Sequence, residues 1–168
     1  MRLALAAQDP SGVTRMCISN SATCAAWVNY AAALDWTLAA GDGAKTVYAW
    51  LQDKWGNTSK TPLTATITLD GTAPKDGALT PRAGSAQVAL SWTGFQDPGS
   101  GVASYRVVGA AAAPAAGCAT GTVIYSGAAT SFTHSGLTAG KAYYYRVCAV
   151  DGAGNVSAGA AAQATPTR

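Results

Sequence analysis

The chain has 168 residues, among them 19 glycines, 7 prolines, eight aspartates, no glutamate and 11 Lys plus Arg, giving a formal charge of +3. Charge this sparse and this evenly spread excludes a basic stripe for nucleic acid and an acidic tail. No apolar period of 3.6 residues lasts beyond two turns, which excludes a helical fold, and short apolar segments between Gly, Pro, Ser and Thr argue for an all-β chain.

Met1–Ala7 sets a positive residue before an apolar run, but the run is too short for the core of a signal peptide. No segment nears the roughly 18 to 20 apolar residues that span a bilayer, so no membrane insertion of these residues is expected. An export signal or anchor is expected outside them, with Met1 an added or alternative start. Val13–Ser19, Trp36–Leu38 and Thr46–Leu51 then predict strands, and Leu63–Leu69 predicts a closing strand. Asp70–Gly77 carries turn formers without an apolar period and reads as a linker over about residues 70–77, dividing a domain at 1–70 from one at 71–168.

Beyond the linker Val88–Trp92, Ser104–Val108 and Tyr143–Val150 alternate. On the last of these Tyr143, Tyr145, Val147 and Ala149 share a face, which is expected to be the core side, and Trp92 is the large aromatic anchor of a small sandwich. The alanine runs Ala110–Ala113 and Ala158–Ala162 are flanked or interrupted by Gly109, Pro114, Ser157 and Gly159, so they predict loops and edges rather than helix.

Two motifs occur twice. Gln8-Asp9-Pro10-Ser11-Gly12-Val13 returns as Gln96-Asp97-Pro98-Gly99-Ser100-Gly101-Val102, and Asp53-Lys54-Trp55-Gly56-Asn57-Thr58-Ser59 returns as Asp151-Gly152-Ala153-Gly154-Asn155-Val156-Ser157. The chain is therefore two copies of one plan. Leu137-Thr138-Ala139-Gly140-Lys141-Ala142-Tyr143 sets a leucine and a tight turn before a tyrosine at the start of a strand. Together with Trp92 on the second strand, this resembles the fibronectin type III pattern over about residues 73–168. Ser11-Gly12-Val13, Met16–Asn20, Trp36-Thr37-Leu38, Gly41-Asp42-Gly43 and Lys45–Tyr48 resemble a bacterial immunoglobulin-like repeat over about residues 3–70. The resemblance implies two tandem antiparallel β-sandwiches. The first lacks strand A, because Leu3-Ala4-Leu5 aligns with Val88-Ala89-Leu90 on the second strand of its neighbour. A sheet edge left open in this way reads first as a boundary of the sequence or of its gene, and alternatively as an edge that accepts a strand from another chain.

Four cysteines in two small domains suit disulfides and a secreted or cell-surface location. Cys148 points off the core face and Cys118 precedes the apolar segment Thr122–Tyr125, so Cys118 is paired with Cys148, and Cys17 with Cys24; the two other connectivities would cross the linker and rank lower. No Cys-x-x-Cys spacing exists, so no metal is expected on the cysteines.

His134 is the single histidine and reads as a polar residue at a strand end rather than a member of a catalytic triad. Asp9, Asp97, Asp53 and Asp151 offer oxygen ligands for calcium, but they sit in repeated turns where Asp and Asn bond local backbone and Gly takes positive φ. Asn57 and Asn155 begin formal glycosylation sequons within those same turns. Of the aromatic residues Trp27, Tyr30, Trp36, Trp50 and Trp55, some must fill the first core, whereas Trp55 lies in a turn and is expected to be exposed as a contact for sugars or proteins. No catalytic residue and no cofactor is expected. The family resemblance implies a non-enzymatic structural or adhesive segment of a secreted or surface bacterial protein, with protein or polysaccharide partners. Two alternatives stand beside it: a self-associating subunit completed by strand donation between copies, and a carbohydrate-binding accessory module of a secreted hydrolase.

Overall fold

The computed structural model describes residues 1–112 and 115–168 and contains only strands and loops among them. It divides into two compact units, Met1–Asp70 and Gly71–Arg168. The first unit holds β1 (Arg2–Ala4), β2 (Val13–Ser19), β3 (Val28–Asn29), β4 (Ala33–Asp35), β5 (Gly43–Asp53) and β6 (Leu63–Leu69). The second holds β7 (Ala78–Gly84), β8 (Gln87–Thr93), β9 (Val102–Ala110), β10 (Thr122–Gly127), β11 (Ser131–Ser135), β12 (Tyr143–Asp151) and β13 (Ala160–Ala164).

In the second unit the sheets run β11-β8-β7 and β10-β9-β12-β13, every pairing antiparallel. Alternation builds the core. Val88, Leu90 and Trp92 from one face of β8 meet Tyr145, Val147 and Ala149 from one face of β12, all of them 1% exposed or less. Trp92 lies against Tyr105 and Tyr125 at centroid distances of 5.6 and 5.7 Å. Burying a residue of that size contributes on the order of 2 to 3 kcal/mol relative to exposing it. The second cysteine pair sits on the opposite face of β12, where Cys148 and Cys118 bury with Val108, and the two are bonded with Cα atoms 6.1 Å apart. Arg146 ties the neighbouring loops down, its guanidinium donating to the carbonyls of Ala115, Ala158 and Gly159 at 2.8, 3.1 and 2.6 Å.

Leu137 is buried, Gly140 takes φ +76°, and the Tyr143 hydroxyl accepts a hydrogen bond from the Thr138 amide at 3.1 Å, closing the corner before β12. That bond holds the Tyr143 hydroxyl below its ordinary pKa. The expected linker of about residues 70–77 is in part built into the second unit. Pro74 is buried, Lys75 pairs with Gln96, and the Asp76 carboxylate accepts from the Gly159 amide at 2.8 Å.

In the first unit the sheets are β1-β4 and β3-β2-β5-β6. Removing β7 from the second unit leaves this same order, so both units follow one strand plan. The strand expected at Trp36–Leu38 forms instead just upstream at Ala33–Asp35, facing β1. Leu5 N donates to the Ala32 carbonyl as Trp92 N does to that of Thr130, each a few residues before a Gln-Asp-Pro turn. Leu5 therefore takes the place of Trp92 rather than Leu90, a shift of two residues from the alignment expected above. The buried core here is small: Met16, Cys17, Val47 and Ala49. Cys17 is bonded to Cys24, their Cα atoms 5.8 Å apart. The indole N–H of Trp36 donates to Asn20 Oδ1 and that of Trp50 to the Ala22 carbonyl, so both rings anchor the loop that carries this disulfide. Of the two alanine runs, Ala158–Ala162 leads into the edge strand β13 and Ala110 ends β9, while Ala113 and Pro114 lie outside the described residues.

Candidate functional site

The duplicated Asp-x-x-Gly-Asn-x-Ser turns can be superposed bond for bond. After β5, Asp53 Oδ1 accepts from the amides of Trp55 and Asn57 at 2.8 and 2.9 Å, and Oδ2 accepts from Asn57 Nδ2 at 2.9 Å. After β12, Asp151 Oδ1 accepts from the amides of Ala153 and Asn155 at 2.9 and 2.8 Å, and Oδ2 from Asn155 Nδ2 at 2.8 Å. Gly56 and Gly154 take φ +87° and +95°, a region open to glycine and costly for other residues. Ser59 and Ser157 then return the chain: each amide donates to a carbonyl two residues before the aspartate (Leu51, Ala149), and each hydroxyl accepts that residue's amide.

Two chemical consequences follow. The oxygens of Asp53 and Asp151 accept from local donors, among them the Asn57 and Asn155 side-chain amides of the formal sequons, whereas Asp97 Oδ1 is buried and meets no hydrogen-bond donor among the described residues. The Asn57 bond, helped by the Ser11 hydroxyl and the turn amides, holds the Asp53 carboxyl below its ordinary value against a smaller opposing effect of desolvation. The Ser11 hydroxyl lies 3.0 Å from Asp53 Oδ2 and also within hydrogen-bond reach of Asp9, joining the first repeated motif to the second. In the second unit Asp97 Oδ2 accepts from the Gly101 amide at 2.7 Å, and Ser100 Oγ accepts from the Ala153 amide at 3.0 Å.

The two turns differ at Lys54 against Gly152, at Thr58 against Val156 and, most in bulk, at Trp55 against Ala153. Where the second carries Ala153, the first carries Trp55, 75% exposed, with Lys54 Nζ 5.2 Å from its ring. Trp55 serves the turn through its backbone amide alone. Its ring stands on a support fixed by the hydrogen bonds above and packs into no core cluster among the described residues. The exposed indole presents a broad amphipathic surface on a backbone held in one conformation. Trp27, Trp36 and Trp50 are half-buried.

His134 sits on β11, half-buried, with Nδ1 3.3 Å from the Tyr145 hydroxyl and its ring edge-on to Tyr143 and Tyr145. Burial lowers the imidazole pKa and pushes that of the Tyr145 hydroxyl up to about 12. The histidine is thereby engaged by β12, with no carboxylate partner among its described contacts. Phe95, 8% exposed and edge-on to Tyr105, closes the end of the second core and was not distinguished by the sequence, since no alternating segment contains it.

Residues 72–165 match the family described as fibronectin type III domain. Exoglucanase B of Cellulomonas fimi is 36% identical over 136 residues, and the chain spans 12% of that protein's length. Among solved structures, the fibronectin(III)-like modules of Clostridium thermocellum CbhA match 99% of the chain and 85% of their own at a TM-score of 0.57 and 13% identity. The chicken CNTN1 FN1-FN3 domains match 93% of the chain and 56% of their own at 0.53 and 16%. These structural likenesses show the fold. The family match covers the second unit and does not confirm the immunoglobulin-like character expected for residues 3–70. No helix among the described residues is long and apolar enough to cross a membrane.

Proposed function

The chain belongs to the fibronectin type III family, and on that premise we propose that it is a non-catalytic, extracellular accessory module of a bacterial carbohydrate-active protein, touching glucan through Trp55. Fibronectin type III domains are generally non-catalytic modules, and a fold of this kind does not by itself name an activity. The observation that carries the reading is the exposed indole on a fixed turn, set against Ala153 at the same place in the second unit. The relative named an exoglucanase supplies the substrate class, and the two disulfides suit an oxidising compartment outside the cell. The second unit, with its larger core, serves as the spacer that holds this contact away from neighbouring domains.

The test is co-sedimentation of the oxidised chain with insoluble cellulose, beside Trp55→Ala. An aromatic contact of this kind contributes roughly 2 kcal/mol, so the variant should lose about 30-fold in retention. Its unfolding free energy should stay within about 0.5 kcal/mol of the parent, as for a surface substitution. Equal retention of parent and variant, or none by either, would contradict glucan contact at this site. A spacing role alone would then remain, for which Trp55 is dispensable.

A further inference from the structure

We propose that Asp97 and Asp151 form a calcium site in the second unit, fastening the turn before β9 to the turn after β12. Each carboxylate presents an oxygen within 4.8 Å of one on the other. Two oxygens that share a calcium ion, each about 2.3 to 2.6 Å from it, lie no more than about 5 Å apart, so one ion can bridge this gap. Asp151 is 3% exposed, and among the described residues neither carboxylate is paired with a lysine or arginine. Two negative charges are thus held close together, one of them buried, without a counter-charge. That arrangement is costly unless a cation joins it.

An orphaned oxygen marks the same place independently. A carboxylate has about four lone-pair positions. Asp151 uses three of them, two on Oδ1 for the amides of Ala153 and Asn155 and one on Oδ2 for Asn155 Nδ2, which leaves one on Oδ2. Asp97 uses one, on Oδ2 for the Gly101 amide, while its Oδ1 is buried and meets no donor among the described residues. Buried polar atoms are otherwise almost always satisfied. The first unit solves the same problem differently, since the Ser11 hydroxyl lies within hydrogen-bond reach of both Asp9 and Asp53. In the second unit the residue after the Asp-Pro pair is Gly99, which has no hydroxyl, and the Ser100 hydroxyl accepts from the Ala153 amide. Donors that are all oxygen suit a hard cation. The backbone around them is already tied: Gly152 N donates to the Gly101 carbonyl at 3.0 Å, and Asp151 pairs with Val102 across the β9 and β12 ladder. Asp97 also lines an open groove of about 730 Å³ with Lys75, Phe95, Gln96, Pro98 and Val102, which admits the ion and the waters that complete its shell.

The experiment uses the full oxidised chain, stripped of metal with a chelator, and calcium chloride alone as the probe. Extracellular modules bind calcium at about 0.1 to 1 mM. At about 10 mM calcium the second unit's thermal midpoint should therefore rise by at least about 5 °C. The backbone amide resonances of Gly101, Ala153 and Asn155 should shift in a saturable way. Asp97→Asn should abolish the rise, whereas Asp9→Asn, its counterpart in the first unit, should leave it intact. An unchanged midpoint with unmoved resonances would overturn the proposal, as would an equal rise in the parent and in Asp97→Asn. An equal rise with magnesium chloride would overturn the assignment to calcium. If Asp97→Asn does not fold, the resonances of the parent decide, and shifts confined to other residues would overturn the site. Because Trp55 lies in the first unit, failure here and failure of glucan retention are separately visible.

Discussion

At the scale of single residues, the duplicated turns show how much one carboxylate can organise. Asp53 meets two backbone amides and an Asn amide, and the Ser11 hydroxyl lies within reach of it, so the charged form is held by hydrogen bonds and its pKa is lowered in the folded state. The sign of the linkage follows. The unfolded chain takes up this proton at a pKa near about 3.9 and the folded chain only at lower pH, so the stabilisation is complete above that value and is lost as pH falls through the folded one. In urea titrations from pH 7 to pH 2, the first unit's midpoint should decline below about pH 4. Asp53→Asn should start lower at pH 7 and decline less steeply; a parallel decline in both proteins would contradict the assignment. The turn was legible in the sequence because Asp, Gly, Asn and Ser each have a local backbone role. Trp55 stood out because it has none. The partner of His134 was not legible, since the Tyr145 hydroxyl reaches it only through the packing of β11 across the core from β12.

At the scale of elements, alternation located β2, β5, β8, β9 and β12, whose two faces differ in burial, and also β6, where apolar and polar residues alternate although Leu63 to Thr68 are all exposed. It did not locate β7, whose Pro81 and Gly84 break the pattern of a strand interior but are tolerated at a sheet edge, which is where β7 lies. Nor did it place β4, where the bulk of Trp36 drew the expected strand three residues downstream. The stretch read as linker was misleading for a similar reason. Turn formers mark Gly77, but not that its Cα lies against the backbone of the strand end: a Cβ there would sit 2.0 Å from the Thr93 carbonyl oxygen and 2.6 Å from the Phe95 nitrogen. Gly77→Ala must displace backbone and should cost at least about 2 kcal/mol, or about 8 °C or more in the second unit's midpoint. Gly84→Ala meets only the flexible Gln87 side chain, at 3.2 Å, and should cost less than about 1 kcal/mol. Equal midpoints for the two variants in a thermal melt would contradict the close approach at Gly77.

For the whole molecule, the repeat of motifs made the two-unit plan readable, whereas the unequal cores became visible only in three dimensions. The second unit buries nine residues in one cluster, while the first leaves Leu63 and Ile67 open, so the first depends more on its crosslink and loop anchors. The chain-entropy model assigns about 3.6 kcal/mol to the Cys118–Cys148 bond, with 30 residues of separation, and about 2.4 kcal/mol to Cys17–Cys24, with 7. Calorimetry of Cys118→Ser/Cys148→Ser and Cys17→Ser/Cys24→Ser should therefore show the larger free-energy loss in the first pair of substitutions. The first unit, with less apolar area in reserve, should nonetheless be the one whose transition broadens. The reverse order of losses would mean that strain or residual structure, not loop closure, governs these bonds.

The central claim, that a fixed, exposed indole makes the chain a glucan contact, is tested most directly by following the five tryptophan side-chain N–H resonances of the full chain while a soluble cello-oligosaccharide is added. The Trp55 signal should shift in a saturable way while that of buried Trp92 stays still. If Trp55 remains unmoved at saturating sugar, or if the other indoles shift without it, the contact lies elsewhere and the proposed role of Trp55 is contradicted.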